Sequence, residues 1–162
     1  MKAIRRAITT ALLLGIFFWL TAPMHQGFVA ELMLPFFVIV WIRDLYMIFR
    51  RPADRTWRIT RTAIWVAAFS AIALLNLYWS HESRRYADGV VADALAYKAR
   101  TGSYPENLEQ LGIARNDGAA RKWGLAYSTG SGGPYVSYTV PHMIFDGYIC
   151  ELEKRQWQYA PD

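Results

Sequence analysis

The chain has 162 residues, and its 54% hydrophobic content, with seven Trp, ten Tyr and eight Phe, is high for a small soluble protein. Its net charge of +5 divides unevenly, because residues 1–79 carry nine Lys and Arg against three Asp and Glu, whereas residues 80–162 carry nine against ten. The composition favours membrane segments in the first half, and the near-neutral second half argues against a basic nucleic-acid groove.

The N-terminal segment has three basic residues among its first six, followed by an apolar run over residues 7–24. A signal peptide and a first membrane span share this pattern. The run of about 18 residues exceeds a usual signal core, and residues 21–23, Thr-Ala-Pro, make a poor cleavage site. We therefore predict a retained first transmembrane helix.

The second apolar segment, residues 28–42, is weaker because one glutamate and one proline interrupt it. A helix of this length falls short of a hydrocarbon core about 30 Å thick, so we expect residues 46–49 to extend it. At its end we expect Arg43 to reach the headgroups and to form a local pair with Asp44. The segment is predicted to be the second span.

The third segment, residues 62–79, has no charge and passes without a break into an amphipathic stretch. In that stretch Tyr86, Val90, Ala94 and Tyr97 recur at offsets of four, four and three, which is the spacing of one helical face. The pattern predicts a membrane helix that continues as the core helix of a folded domain.

The basic residues predict the orientation of these spans. The connection between the second and third spans is rich in arginine, whereas the connection before it has no Lys or Arg. In a bacterial inner membrane, the positive-inside rule predicts that the basic loop and the N-terminus lie on the cytoplasmic side. Residues 80–162 would then lie in the periplasm. We interpret the arginines as a topology signal in preference to a specific lipid site: Arg50, Arg51, Arg55, Arg58 and Arg61.

The amphipathic helix is expected to end at Gly102, a residue suited to the left-handed conformation that stops a helix. Ser103 and Glu106 have the spacing of a capping box, so they predict a short helix that runs to Leu111 and is closed by Gly112. Pro105 suits its first turn.

The rest of the chain is predicted to form a polar loop and an antiparallel sheet. Residues 113–121 have no periodicity and contain turn residues, whereas later segments are rich in Tyr, Val, Ile and Trp. We expect turns at residues 130–134 and 153–154, with a further tight turn at Asp146 and Gly147. The predicted strands are residues 122–128, 135–140, 144–152 and 156–159. The fold class is therefore three transmembrane helices, residues 1–79, plus an exported α+β domain, residues 80–162, in which a long helix packs on a small antiparallel sheet.

A helix that runs from the membrane into a domain, followed by Tyr97, Gly102, Tyr104 and Pro105, resembles the type IV pilins and most closely the major pseudopilins of type II secretion. The resemblance covers residues 62–112 and extends more weakly to residue 159. It implies a pilin-like domain with a role in a secretion or pilus system. The family's processing site and its acidic residue near the start of the span have no counterpart here. We therefore expect a tethered accessory or assembly component.

The exported half contains residue types that could support catalysis, but not at interpretable spacing. Cys150, His142 and Asp146 are the types of a thiol triad, although a cysteine in a strand is commonly buried and inert. His81 and His142 lack metal-ligand spacing, and the Gly-rich residues 130–133 lack the lysine that follows a phosphate loop. We predict neither an enzyme nor a metal or cofactor site.

The sequence thus favours a membrane-tethered protein-interaction module whose partners are the lipid bilayer and a periplasmic protein, with no nucleic acid. An inner-membrane immunity protein that binds a toxin in the periplasm is the alternative. A polar connector and a terminal strand with an open edge are the preferred contact regions. The predicted partner-binding residues are Arg115, Asn116, Asp117, Gln156, Trp157 and Tyr159.

Overall fold

The computed structural model describes residues 2–23, 26–50, 52–114, 116–130, 132–143 and 146–161. Arg51, Arg115 and the predicted strand residues 144–145 therefore lie outside the described residues. The chain divides into two compact units, Met1–Leu77 and Tyr78–Asp162. The α-helices are α1 (Lys2–Thr21), α2 (Gly27–Arg50), α3 (Arg55–Thr101) and α4 (Gly118–Lys122), with 3₁₀-helices at Pro52–Asp54 and Leu108–Leu111, and the strands are β1 (Ala126–Ser128), β2 (Tyr135–Thr139), β3 (Asp146–Glu151) and β4 (Gln156–Pro161).

The first unit is built from α1, α2 and the first part of α3 around an aromatic core. The ring of Phe17 on α1 lies 5.5 Å from that of Trp65 on α3 and 6.4 Å from that of Phe37 on α2. Ala30, Ala68 and other buried residues complete this core, in which small side chains let the helices approach.

Two helices of the described chain, α2 and α3, are long and apolar enough to cross a membrane, judged by length and composition. The 24 residues of α2 span about 36 Å, so the predicted extension by residues 46–49 is confirmed. Among the described residues α1 does not meet the same test, and it carries Arg5 and Arg6 inside the helix, which shortens its uncharged part.

The predicted pair between Arg43 and Asp44 is wrong. Asp44 is only 2% exposed, and its carboxylate accepts hydrogen bonds from Arg58 Nη1 at 2.8 Å and from Arg61 Nε at 3.1 Å, while Arg43 is exposed. Consecutive residues of a helix point in different directions, whereas residues three apart share a face. Arg58 and Arg61 therefore reach Asp44 together from α3.

The continuous helix predicted from residue 62 to residue 100 is confirmed, because α3 runs without interruption over 47 residues. Gly102 has a positive φ of 84°, and its N–H donates to the carbonyl of Lys98 at 2.8 Å. The helix therefore ends where the sequence predicts.

The capping box predicted at Ser103 is wrong, because the N-cap of the short helix lies four residues later, at Asn107. Asn107 is the N-cap of the 3₁₀-helix, and its Oδ1 accepts from Gln110 N–H at 3.1 Å. Before it, Pro105 is buried and its carbonyl accepts from Tyr127 Oη at 2.6 Å, which holds this stretch against the sheet. Gly112 closes the helix in the left-handed conformation, as predicted.

The segment from residue 113 to 121 is not entirely a loop, because it contains the start of α4. Asp117 caps this helix by accepting from the N–H groups of Ala119 and Ala120 at 2.9 Å and 2.8 Å. The helix displaces the first part of the predicted strand at residues 122–128, so β1 begins only at Ala126.

The four strands form one antiparallel sheet in the order β1-β2-β3-β4. The strands on either side of the predicted turns pair as neighbours, β1 with β2 and β3 with β4, although Ser131 of the first turn lies outside the described residues. Asp146 and Gly147 do not form the expected tight turn, since both lie in β3 and Gly147 pairs with Thr139 on one side and Ala160 on the other. A Cβ at Gly147 would lie 3.1 Å from the carbonyl oxygen of Tyr138, so the glycine allows close strand approach.

The core of the second unit lies between α3 and one face of the sheet. Val90 and Ala94 of α3 are buried against Val136 of β2 and Leu152, which follows β3. Leu108 and Leu111 of the second 3₁₀-helix pack against the same cluster. A long helix packed on a small antiparallel sheet is therefore confirmed.

Candidate functional site

An aromatic row crosses the face of the sheet that carries the buried core residue Val136. It consists of Tyr138, Tyr148, Trp157 and Tyr159, which stand on three neighbouring strands. The ring of Tyr138 lies 5.6 Å from that of Tyr148 and 5.2 Å from that of Trp157, and Tyr148 lies 5.6 Å from Tyr159. Cross-strand aromatic contacts of this kind stabilise a sheet. The row becomes more exposed toward β4, where Tyr159 is 53% exposed.

Trp157 is tied to α3, although the sequence analysis placed it among the partner-binding residues. Its Nε1 donates to Asp88 Oδ1 at 2.7 Å, and the guanidinium of Arg84 lies 4.5 Å from the centre of its ring. Arg84 also pairs with Asp88 at 3.2 Å. Trp157 therefore anchors β4 to α3. The exposed surface of β4 is formed by the residues on either side of it, Gln156, Gln158 and Tyr159.

The β4 strand forms one edge of the sheet, and its composition is unusual for an edge. It has six residues, none of them charged, whereas β1 at the opposite edge has only three residues. Soluble proteins commonly protect sheet edges with short strands, lysine, proline or bulges. In β4 the only such feature is the terminal Pro161, which leaves Gln156 to Ala160 without one. Gln156 and Gln158 are exposed beside Tyr159, whose hydrogen bond to Asp146 and burial raise its pKa above the ordinary value.

The connector residue Asp117 has a structural role that its position in the sequence did not predict. Besides capping α4, its Oδ1 accepts from Tyr86 Oη at 3.2 Å. Backbone hydrogen bonding from Ala120, aided by the bond from Tyr86, lowers the pKa of Asp117, while burial raises that of Tyr86. Asn116 beside it is exposed, and Arg115 lies outside the described residues.

The predicted partner-binding residues fall into two groups on different sides of α3. Asp117 contacts this helix at Tyr86, whereas Trp157 contacts it at Asp88. Residues two apart on a helix point about 200° apart, so the two contacts flank the side of α3 that faces the core, against which both Tyr86 and Trp157 pack. The connector and β4 therefore offer two separate surfaces.

The suspected thiol triad does not assemble. Cys150 is 1% exposed, and burial raises the pKa of its thiol, which is the reverse of what a nucleophile needs. Asp146 lies four residues earlier on the same strand, about 13 Å away at 3.3 Å per residue. Within the described ranges, no group of three or more His, Cys, Asp or Glu side chains could hold a metal ion.

No protein-family model, curated protein or solved structure matches this chain. The geometry of its own residues therefore carries the functional argument.

A second group of charged residues, which was not predicted from the sequence, lies in the first unit: the buried Asp44 and its partners Arg58 and Arg61. A signal for it was present, because an acidic residue inside an apolar helix needs a cation and the two arginines have helical i, i+3 spacing. Asp44 and Arg61 border a cavity of about 480 Å³, and Arg58 borders a smaller cavity of about 100 Å³ beside it.

Proposed function

We propose that the protein is a membrane-anchored binding module that recognises a partner protein through the β4 edge of an exported domain. The observation that carries this proposal is the long, uncharged edge of β4 beside the exposed ring of Tyr159. An extended segment of the partner would add a strand to this edge by main-chain hydrogen bonds, and Tyr159 would contact its side chains.

The exposure of large apolar side chains supports membrane insertion. On α2, Phe36 is 72% exposed and Phe49 80%, and on α1, Leu12 and Trp19 are 64% and 75% exposed. In water, helices with such surfaces would expose extensive apolar patches, which is unfavourable. In a bilayer the same side chains contact lipid tails, so their exposure carries no free-energy penalty. We therefore count α1 as a third span beside α2 and the first part of α3, with the N-terminus in the cytoplasm and residues 80–162 in the periplasm.

The pilin-like resemblance remains part of this proposal. Its support is the long helix that ends at Gly102 and is followed by Tyr104 and Pro105, which pack beside the sheet through the hydrogen bond from Tyr127. A helix that stays joined to two further spans suits an accessory or assembly role in a secretion or pilus system better than a filament subunit.

The orientation is tested with a reporter that is active only outside the cytoplasm. We expect activity when the reporter follows residue 162 and none when it follows residue 55. The opposite pattern would contradict the positive-inside argument.

The edge itself is tested with a photo-crosslinking amino acid placed at Gln158 in the full chain in cells. The control position is Ala126, which is exposed on the opposite edge strand β1. We expect a discrete protein adduct at Gln158 and none at Ala126. Equal adducts at both positions, or no adduct at Gln158, would count against the proposal.

A charge placed on the edge provides the matched functional test. Gln156→Lys should abolish the adduct formed from position 158, because a lysine opposes strand addition, whereas Ala126→Lys should leave it unchanged. The adduct's identity then distinguishes the role: a secretion or pilus component fits the accessory function, and a toxin from another cell would identify an immunity protein.

A further inference from the structure

The cavity in the first unit is bordered by α1, α2 and α3. Along each helix the lining residues change in the same order, from apolar through uncharged polar to charged. On α2 the lining passes from Phe37 through Trp41 to Asp44, and on α3 it passes from Trp65 through Thr62 to Arg61. Most of the apolar rings thus lie at one end, uncharged polar groups lie in the middle, and charged groups lie at the other end, where Trp57 of α3 also lines the cavity.

The lining from α1 follows the same order in the reverse chain direction. Phe17 and Leu13 come first, then Thr10 and Thr9, and then Arg6 and Arg5. Since successive helices of the unit reverse direction, the three gradients run the same way in space. The cavity is therefore amphipathic along its length and not simply an apolar gap.

Two polar atoms in the middle layer are buried and, within the described part of the chain, have no hydrogen-bond partner: Trp41 Nε1 and Thr62 Oγ1. A buried donor without a partner costs free energy, and a bound molecule that supplies an acceptor oxygen would remove that cost. Both atoms belong to residues that line the cavity. A ligand that satisfies these two donors would have acceptor oxygens in its middle, an apolar part on one side of them and a charged part on the other.

The charged end carries excess positive charge. Arg5, Arg6 and Arg61 line it, and a smaller adjoining cavity of about 100 Å³ adds Arg58 and Asp54. Four arginines thus face two carboxylates. Asp44 would repel an anion if it were free, but its two carboxylate oxygens already accept from Arg58 and Arg61.

We propose that this cavity binds one anionic phospholipid, an inference that rests on the proposed membrane insertion. The acyl chain lies among the rings of Phe17, Phe37 and Trp65, and the phosphate lies against the arginines. The ester carbonyl oxygens accept from Trp41 Nε1 and Thr62 Oγ1. A volume of about 480 Å³ holds only part of a diacyl phospholipid, so the second acyl chain lies outside the cavity, in the surrounding bilayer.

Native mass spectrometry of the full chain in mild detergent tests the proposal, with phosphatidylglycerol and phosphatidylcholine of matched acyl chains as probes. We expect one phosphatidylglycerol to be retained per chain, in clear preference to phosphatidylcholine. Inorganic phosphate in excess should not displace it, because the acyl chain contributes to binding. Displacement by phosphate would show a free-anion site and would overturn the proposal.

The first variant is Trp41→Phe, which keeps an aromatic ring but removes the Nε1 donor together with part of the packed indole. It should weaken phosphatidylglycerol binding about fivefold to tenfold, the value of one hydrogen bond, and its packing cost is measured separately as the fall in thermal stability without lipid. Thr62→Val should act in the same direction. The matched control is Trp19→Phe, because Trp19 is 75% exposed on α1 and does not line the cavity.

Three further results would overturn the lipid site: equal loss of binding in Trp41→Phe and Trp19→Phe, equal retention of the two phospholipids, or retention of neither. Membrane insertion is tested separately by the reporter fusions. None of these results bears on the crosslinks from β4, which test the partner-binding surface separately.

Discussion

Replacing Asp44 by asparagine should destabilise the helical unit far more than any change to an exposed ion pair. Asparagine keeps the size of the side chain and one acceptor oxygen, but it removes the negative charge between two arginines. The Arg58 side chain is 16% exposed and that of Arg61 32%, so Arg58 in particular cannot turn to solvent. The variant therefore leaves a largely buried positive charge without compensation.

The magnitude follows from this burial. At about 4 Å between charge centres and an effective dielectric constant of about 20, each attraction is worth roughly 4 kcal/mol before desolvation. Breaking a buried pair by removing one partner typically costs about 3–5 kcal/mol, and we expect Asp44→Asn to fall in that range. The exposed pair between Arg6 and Asp54, with side chains 46% and 33% exposed, is the control. Asp54→Asn should cost about 1 kcal/mol or less.

The assay is the unfolding free energy of the full chain in mild detergent, followed by loss of helical circular dichroism. Adding Arg58→Met to Asp44→Asn should restore part of the stability, because it removes the charge that the first change left unpaired. Equal costs for Asp44→Asn and Asp54→Asn, or a double variant that is less stable than Asp44→Asn alone, would refute this account of the pair.

The remaining predictions concern a fragment of residues 78–162, which should unfold cooperatively in denaturant because it contains its own core. Leu152→Ala should lower its stability by about 2–5 kcal/mol, since Leu152 is fully buried, whereas exposed Glu153→Ala should change it by less than about 0.5 kcal/mol. Hydrogen bonds lower the folded-state pKa of Asp117 below 3.8, so its contribution to the unfolding free energy is complete above pH 3.8 and is lost as the pH falls through the lowered pKa. In an acid titration of the fragment, Asp117→Asn should therefore reduce the pH dependence of the unfolding free energy. Iodoacetamide should alkylate Cys150 slowly in the folded fragment and rapidly in urea, because burial both shields the thiol and raises its pKa, and equal rates would contradict the buried position.

The sequence by itself determined the features that depend on neighbouring residues. The absence of a breaker at the junction and the spacing of Tyr86, Val90 and Ala94 predicted the uninterrupted helix α3, and Gly102 marked its end. Segments rich in Tyr, Val, Ile and Trp, separated by glycine-rich or charged turns, predicted four strands, of which β1 is shorter than predicted. These features could be predicted because helix periodicity, helix termination and short hairpins are encoded within a few residues.

Only the tertiary structure decided the features that depend on distant partners. Asp146 and Gly147 have the composition of a turn, yet pairing on both sides draws them into β3. Asp117 resembles an exposed loop residue, but a helix that begins beside it and Tyr86, 31 residues away, determine its role. Local propensity yields in such cases because long-range packing contributes more free energy.

The cavity beside Asp44 and the β4 edge also depend on partners that are distant in the chain. Asp44 is paired by arginines 14 and 17 residues away, and Trp157 is held by Asp88, 69 residues away. Which side chains surround a cavity, and which strand is left at the edge of a sheet, are decided by the packing of whole elements against one another. Residue spacing along the chain therefore could not predict the amphipathic cavity or the separation of β4 from the connector.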